Sequence, residues 1–255
     1  MELGISKYLG AMLINNKIAL LCQQTKQYYF GSRDNIPGNM LHGSKCIALA
    51  YPDIRSHFNY QKDYKLTAPN ILYSILHEIN DYKILTISLK AIAGNNNKMS
   101  RIVIAGRVNI QKYAKNFARL GFCVHAMLDI WQIMLCAARE LLPKVKSAWV
   151  IVVSEQLIYV FYFENNSIYM HSSFEHNSLN DIFAAVDEFK KDFINISSDA
   201  WCVGSLTLEL EQGLTNKGLM LHDVPLKSDI IPKLSFELLC CMGAIAYMDL
   251  GKGSS

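Results

Sequence analysis

The chain has 255 residues, of which 51% are hydrophobic and 18% are charged, and its formal net charge is +3. This length exceeds the needs of a single ordinary core and suits two lobes. No run of basic residues is longer than two, so the basic stripe that nucleic-acid binding requires is missing, and we expect no nucleic-acid partner.

Signals for membrane insertion and secretion are missing from the sequence. The apolar stretches Phe122–Ala138 and Ala148–Phe163 are interrupted by polar residues. Leu238–Met248 is shorter than the roughly 20 apolar residues that a spanning helix needs. The N-terminus has no basic region followed by an apolar run. We therefore predict neither a transmembrane helix nor a signal peptide.

The cysteines are predicted to be reduced thiols. Their number is odd, most lie in apolar segments, and no Cys-x-x-Cys spacing occurs. The adjacent Cys240 and Cys241 would point in different directions on a helix. This pattern favours a reducing, cytoplasmic setting. The seven are Cys22, Cys46, Cys123, Cys136, Cys202, Cys240 and Cys241.

The first predicted lobe opens with three consecutive strands. The Asn15-Asn16 pair suits a tight turn between the first two. A loop containing glycine and proline then leads to a fourth, short strand. The four predicted strands are Leu3–Asn15, Lys17–Gln24, Gln27–Arg33 and Cys46–Ala50.

The rest of the first lobe alternates helices and strands. Apolar residues recur there at helical spacing, Gly121 is placed to end one helix, and Asp129 is placed to begin the next. The predicted helices are Asn70–Asn80, Asn109–Leu120 and Ile130–Leu141. The predicted strands are Ile84–Ile92, Arg101–Ala105 and Phe122–Met127.

The second predicted lobe repeats this plan. Asn180 is placed to begin its first helix, which carries an apolar stripe and ends near Phe193. The predicted strands are Ala148–Ser154, Gln156–Glu164, Ser167–Phe174, Ala200–Gly204 and Leu219–Val224. Two further helices are predicted at Thr207–Lys217 and Pro232–Met248.

The same order of elements thus occurs twice: three strands, then helix, strand, helix and strand. Arg101–Val124 and Ala200–Val224 are predicted to be corresponding modules. Two such halves are typical of the superfamily of actin, Hsp70 and the sugar kinases. We therefore predict an α/β, actin-like fold, which is a duplicated ribonuclease H-like fold of two lobes.

The predicted lobe boundaries follow from this duplication. Residues 1–146 form the first lobe and residues 147–231 the second, and the tail at 251–255 is expected to be flexible. The final helix, residues 232–250, is expected to pack back on the first lobe, because no later element could bury its apolar stripe. That stripe consists of Leu234, Leu238, Cys241, Ile245 and Met248.

Phosphate binding is not predicted in either lobe. A phosphate turn needs small residues that let backbone N–H groups approach the anion, and usually an Asp for the metal. The first candidate turn, Ser6–Leu9, has Gly4 and Gly10 nearby but no Asp. The second, Ser154–Leu157, has no glycine. Gly204-Ser205 could approach an adenine-like ligand, although a strand-to-helix turn commonly needs glycine anyway.

Other catalytic and metal-binding patterns are also missing. The sequence contains no Walker loop, dinucleotide fingerprint or Gly-x-Ser-x-Gly motif. His171 and His176 do not have the spacing of a zinc helix, and Glu209 and Glu211 are typical of an exposed helix face. We therefore predict a protein that is not an enzyme, without catalytic residues, metal ligands or cofactor. The seven histidines are His42, His57, His77, His125, His171, His176 and His222.

Several segments resemble the PilM- and GspL-type proteins, together with the BfpC and MshI kind. The first is an apolar strand ending in Ala105-Gly106, and the second is a Leu120-Gly121 turn after a helix. Asp129 then opens an alanine-bearing helix, and Ala148–Phe163 resembles the second-lobe hairpin of these proteins. The ending Gly243-Ala244-Ile245-Ala246-Tyr247 resembles their final helix.

The resemblance implies a cytoplasmic scaffold on the inner membrane of type IV pilus or type II secretion machines. Its implied partners are the assembly ATPase and the inner-membrane platform proteins, with membrane association through a segment after Ser255. PilM-type members bind nucleotide through a glycine-rich acidic turn. Departures at Ser6–Leu9 and Ser154–Leu157 favour the nucleotide-free branch.

Two alternatives keep a nucleotide. One is an ATP-dependent enzyme of the sugar- or acetate-kinase kind, and the other is a PilM-like or polymerising actin-like ATPase. Both need the acidic glycine-rich turns. The aromatic region Tyr51–Tyr64 has no clear core period, so it is either a contact surface for the partner or a packed connection.

Overall fold

The computed structural model describes residues 8–14, 17–41, 46–50, 55–61, 90–94, 97–104, 107–165, 167–192, 195–225 and 234–250. The predicted helix Asn70–Asn80 and the tail at 251–255 lie outside these ranges, as does most of the predicted strand Ile84–Ile92.

The described elements alternate much as the sequence predicts. The strands are β1 Tyr8–Ile14, β2 Lys17–Cys22, β3 Tyr28–Ser32, β4 Cys46–Ala50, β5 Arg55–Gln61, β6 Lys90–Gly94, β7 Asn97–Ile104, β8 Cys123–Leu128, β9 Ser147–Val153, β10 Leu157–Glu164, β11 Ser167–Glu175, β12 Asp199–Val203 and β13 Met220–Asp223. The helices are α1 Gly38–Leu41, α2 Arg107–Arg119, α3 Ile130–Leu141, α4 Leu179–Asp192, α5 Leu208–Asn216 and α6 Phe236–Leu250.

Two five-stranded sheets share one topology. The first sheet has the order β3-β2-β1-β4-β8, and the second has the order β11-β10-β9-β12-β13. In each sheet the first three strands form an antiparallel meander, and the other two extend the sheet in parallel from its first strand. The predicted duplication of the fold is confirmed.

The central strand of the second sheet is covered on both faces. In β9, Trp149 and Ile151 join the cluster that contains Ile182 of α4. Val150 and Val152 face the other way, into a cluster with residues of α3 and α6. A continuous apolar run is what a strand buried on both faces requires, which explains why this strand was predictable.

One predicted correspondence between the lobes is wrong. Arg101–Ala105 was expected to match Ala200–Gly204, but β7 lies in a separate three-stranded sheet of order β5-β7-β6. It pairs antiparallel with both neighbours there. The true counterpart of β12 is β4, which pairs in parallel with β1. An apolar strand before a helix has the same sequence pattern in either place, because periodicity does not reveal the pairing partner.

Helix termini follow the predicted chemistry at two of three places. Asp129 caps α3, since its carboxylate accepts hydrogen bonds from the backbone N–H groups of Trp131 and Gln132. Gly121 follows α2 with a φ of 84°, a conformation that suits glycine. The predicted cap at Asn180 is wrong, because α4 already begins at Leu179.

The last helix of each half packs across the molecule. The final helix α6 contacts β1, β2 and β4 of the first sheet as well as α3. Trp131 of α3 stacks on His171 of the second sheet, with ring centroids 4.2 Å apart. One continuous cluster of buried side chains therefore includes both helices and strands of both sheets.

Glycines allow the close approach of these helices. A Cβ atom on Gly10 of β1 would overlap the backbone carbonyl of Cys241, and one on Gly243 would overlap that of Ile133. Gly10 therefore lies where α6 crosses the first sheet, and Gly243 lies where α6 crosses α3. The predicted lobe boundaries, at residues 146/147 and 231/232, stay a prediction.

Candidate functional site

The turn expected at Ser6–Leu9 does not lie where the sequence placed it. Tyr8 and Leu9 belong to β1, and Leu9 is fully buried and pairs with Cys22. Ser6 and Lys7 lie outside the described residues. Gly10, next to the candidate turn, lies within β1, where it makes room for α6. Ile14 of β1 pairs with Lys17 of β2, and the predicted turn residues Asn15 and Asn16 lie outside the described residues.

The second-lobe turn runs from Ser154 to Gln156, and the Ser154 side chain forms hydrogen bonds with backbone groups of the same turn. The hydroxyl of Ser154 accepts hydrogen bonds from the N–H groups of Gln156, at 3.3 Å, and Leu157, at 3.0 Å. It donates to the carbonyl of Leu157 at 2.8 Å. Because these N–H groups already have an acceptor, they are not free to hold an anion.

Gly204 is explained by packing rather than by a ligand. It has a φ of 90°, and a Cβ atom there would press against the backbone carbonyl of Val153. A side chain would be strained in this conformation. Glycine is therefore required by the turn after β12 and by its contact with β9.

A cleft of about 280 Å³ lies between the two lobes, beside the Ser154–Gln156 turn. Its walls come from β1, α2, the β9–β10 turn, β10 and the start of α6. We call it the interlobe cleft and define it by its lining residues. These are Met12, Leu13, Ile14, Tyr113, Ser154, Glu155, Gln156, Tyr159, Phe236 and Glu237.

The polar groups of the interlobe cleft are acidic or neutral. Glu155 and Glu237 supply two carboxylates, and no Lys, Arg or Gly is among the described lining residues. Burial raises the pKa of Tyr159 to about 12, with a smaller contribution from Cys240, so its phenol is neutral at physiological pH. A carboxylate repels a phosphate group unless a metal ion lies between them, and the described lining residues supply no positive charge that would hold a bare phosphate.

Aromatic rings form the wall of the interlobe cleft on the side of α6. The rings of Tyr159 and Phe236 are stacked, with centroids 4.9 Å apart and an interplanar angle of 9°. The rings of Tyr159 and Trp131 pack edge to face, with centroids 5.7 Å apart. This packing holds the start of α6 against the second sheet, and both residues line the cleft.

The sequence did not single out Glu237, Tyr159 or Phe236. Glu237 is only 9% exposed although it is charged, and Phe236 is buried. A signal was available in the Ser235-Phe236-Glu237 run, where the Ser235 hydroxyl accepts a hydrogen bond from the N–H of Leu238 at the start of α6. The sequence could not predict which lobe packs against the start of α6.

The histidines do not form a metal site within the part of the chain that the structure describes. No group of three or more His, Cys, Asp or Glu side chains there could hold an ion. His222 is 2.8 Å from a carboxylate oxygen of Asp199, and His176 is 2.9 Å from the carbonyl of Ser154. His42 and His77 lie outside the described residues.

The described cysteines other than Cys46 are free thiols, and three of them have raised pKa values. Burial raises the pKa of Cys202 to about 12, with smaller contributions from Asp223 and Glu211. Burial also raises the pKa of Cys240 and Cys241. Protonated, buried thiols are poor nucleophiles and poor metal ligands, so these side chains act as small apolar groups.

None of the described helices is both long and apolar enough to cross a membrane. The region Tyr51–Tyr64, expected to be aromatic and irregular, is described only at Arg55–Gln61. There it forms β5, an outer strand of the three-stranded sheet.

The sequence matches no protein-family model. A search among curated proteins found no match either. Similar folds do occur among solved structures. A chain of the PilM-PilN type IV pilus biogenesis complex has a TM-score of 0.63 at 7% identity, covering 98% of this chain and 99% of that one.

Two further solved structures match this chain. A Bacteroides thetaiotaomicron protein with an actin-like ATPase fold and unknown function has a TM-score of 0.53 at 11% identity, covering 93% of this chain and 95% of that one. The cytoplasmic domain of EpsL, an inner-membrane component of the type II secretion system of Vibrio cholerae, has a TM-score of 0.48 at 12% identity, covering 84% and 94%. At such identities the similarity concerns the fold, and the chain has an actin-like, two-lobed α/β fold.

Proposed function

We propose that this protein is a scaffold of a type IV pilus or type II secretion assembly platform and does not bind nucleotide. The observation that carries the proposal is the interlobe cleft, which has the acidic and aromatic lining described above in a fold similar to the PilM-PilN complex. Because a fold does not determine a function, a fold of this kind can serve as a rigid surface for partners without binding phosphate.

The proposed partners are the assembly ATPase and the inner-membrane platform proteins of the same machine. The proposed location is the cytoplasmic face of the bacterial inner membrane. Both come from the resemblance to PilM- and GspL-type proteins. The similarity to a complex of PilM with PilN supports a role in holding another protein.

The proposed contact region is Tyr51–Tyr64. Its described part, β5, is an outer strand of its sheet. Such an edge presents backbone N–H and C=O groups that can pair with an added strand of a partner. The three-stranded sheet that contains β5 is inserted between β4 and α2, so a partner could bind it without disturbing either five-stranded sheet.

Co-expression with the pilus or secretion assembly ATPase and the platform protein of the same organism tests the proposal. We expect a stable complex by size exclusion at tens of micromolar. Phe58→Ala in β5 should weaken it, whereas Met220→Ala, at a residue that is 53% exposed on the second sheet, should not. Separate elution of folded proteins would contradict the proposed partnership.

The alternative is a nucleotide-binding member of the same superfamily. The similarity to the Bacteroides protein with an actin-like ATPase fold supports this alternative. In that case ATP would have to occupy a cleft lined by Glu155 and Glu237. Nucleotide binding therefore distinguishes the two functions directly.

A further inference from the structure

The charge of the interlobe cleft indicates the class of ligand that it suits. The carboxylates of Glu155 and Glu237 line it, without a basic side chain among the described lining residues. Two negative groups in a partly enclosed space produce a potential that attracts cations and repels anions. A cation is therefore electrostatically favoured in this space.

Glu237 lacks the partner that a buried carboxylate normally has. It is the second residue of α6 and is only 9% exposed. Within the described part of the chain no hydrogen bond or ion pair engages its carboxylate. Its oxygens are not among the fully enclosed unpartnered atoms of the described residues, and the side chain lines the cleft. A cation in the cleft could therefore reach this unpaired carboxylate.

The aromatic wall supports the same ligand class. The stacked rings of Tyr159 and Phe236 belong to the lining, together with Tyr113. Aromatic faces attract ammonium and guanidinium groups and also pack against apolar bodies. Burial raises the pKa of Tyr159 to about 12, so its phenol adds no competing charge at physiological pH.

The volume of the cleft restricts the size of the ligand. About 280 Å³ lies just below the range of roughly 300–1,000 Å³ that is typical of small-molecule sites. We propose that the interlobe cleft binds a small organic cation, with an ammonium or guanidinium group held by Glu237 and Glu155 and an apolar body packed against Tyr159 and Phe236. This site does not depend on the proposed partnership with a secretion or pilus machine.

A matched pair of probes tests the proposal by calorimetry on the full chain. Phenethylamine carries an ammonium group, and 2-phenylethanol has the same apolar body without the charge. We expect saturable binding of phenethylamine and binding of 2-phenylethanol that is at least roughly tenfold weaker, since a charge-assisted hydrogen bond is lost. Equal affinities, or no binding of phenethylamine at millimolar concentration, would overturn the proposal.

Variants locate the site. Glu237→Gln keeps the shape of the side chain and should weaken phenethylamine binding by roughly tenfold or more. Glu155→Gln, at an exposed turn residue that cannot disturb the core, should weaken it as well. Glu209→Gln, an exposed position on α5 outside the cleft, is the matched control and should bind as the parent does. Unchanged affinity in both cleft variants would refute the proposed site.

Discussion

At the scale of single residues, glycines mark the places where backbones touch. Gly10 and Gly243 both lie against the backbone of a crossing element, and a Cβ atom at either position would overlap a carbonyl group. Backbone atoms cannot rotate away as a flexible side chain can. The spacing of α6 from β1 and α3 therefore depends on the absence of a side chain at these two positions.

Gly243→Ala should destabilise the protein by about 1–3 kcal/mol or more, because α6 and α3 must separate to admit the methyl group. The free energy of unfolding from urea titration measures this effect. Gly38→Ala is the matched control, since no atom lies within 4 Å of its Cβ position. It should be neutral or slightly stabilising, and an equal loss in both variants would contradict the packing role.

The pH dependence of stability should carry a contribution from Tyr159. Its pKa is raised from 10.0 to about 12 by burial and, less strongly, by Cys240. A raised pKa in the folded state means that the unfolded state loses its proton first. The contribution of Tyr159 is therefore fully present below about pH 10 and is lost as the pH rises toward about 12.

Tyr159→Phe removes this titration while keeping the stacked ring. The difference in unfolding free energy between the variant and the parent should shift in favour of the variant between about pH 9 and about pH 11. Denaturant titrations at both pH values measure it. A difference that does not change with pH would show that Tyr159 ionises as readily in the folded chain as in the unfolded one.

At the scale of elements, strands with a local signal were predictable and long-range pairings were not. The β9–β10–β11 meander was recognised because apolar runs and short turns lie within one stretch of sequence. The sheet to which β7 belongs could not be predicted, because the residues of a strand do not show which strands it pairs with. Its partners are β5 and β6. The start of α4 was missed by two residues, since Asn180 resembles a cap but lies inside the first turn.

The final helix is the element on which both sheets depend. It packs on three strands of the first sheet and on α3, while Phe236 stacks on Tyr159 of the second. Truncation before Pro232 would expose this apolar surface and remove the stacking partner of Tyr159. At about 1.5–3 kcal/mol for each large buried side chain, the loss should exceed the stability of an ordinary domain.

We therefore expect the truncated chain to lose its cooperative thermal transition, as monitored by near-ultraviolet circular dichroism. A chain lacking only residues 251–255 is the control and should unfold as the parent does. An unchanged transition in the chain truncated before Pro232 would contradict the role of α6 in the shared core.

At the scale of the whole molecule, the two halves share one core because α3 and α6 cross between them. The two-lobed, duplicated fold could be predicted from the repeated order of elements. The interlobe cleft could not, because its lining combines β1, the Ser154–Gln156 turn and the start of α6, which are far apart in sequence. The sequence predicts no phosphate site in either lobe, and this absence stays a prediction.

The binding of ATP with Mg²⁺, measured by isothermal titration calorimetry, tests the proposed nucleotide-free scaffold most directly. The acidic interlobe cleft and the self-satisfied Ser154 turn lead us to expect no saturable heat at millimolar ATP. A dissociation constant below about 100 μM, or roughly 5.5 kcal/mol of binding free energy, would contradict the proposal and favour a nucleotide-binding member of the superfamily.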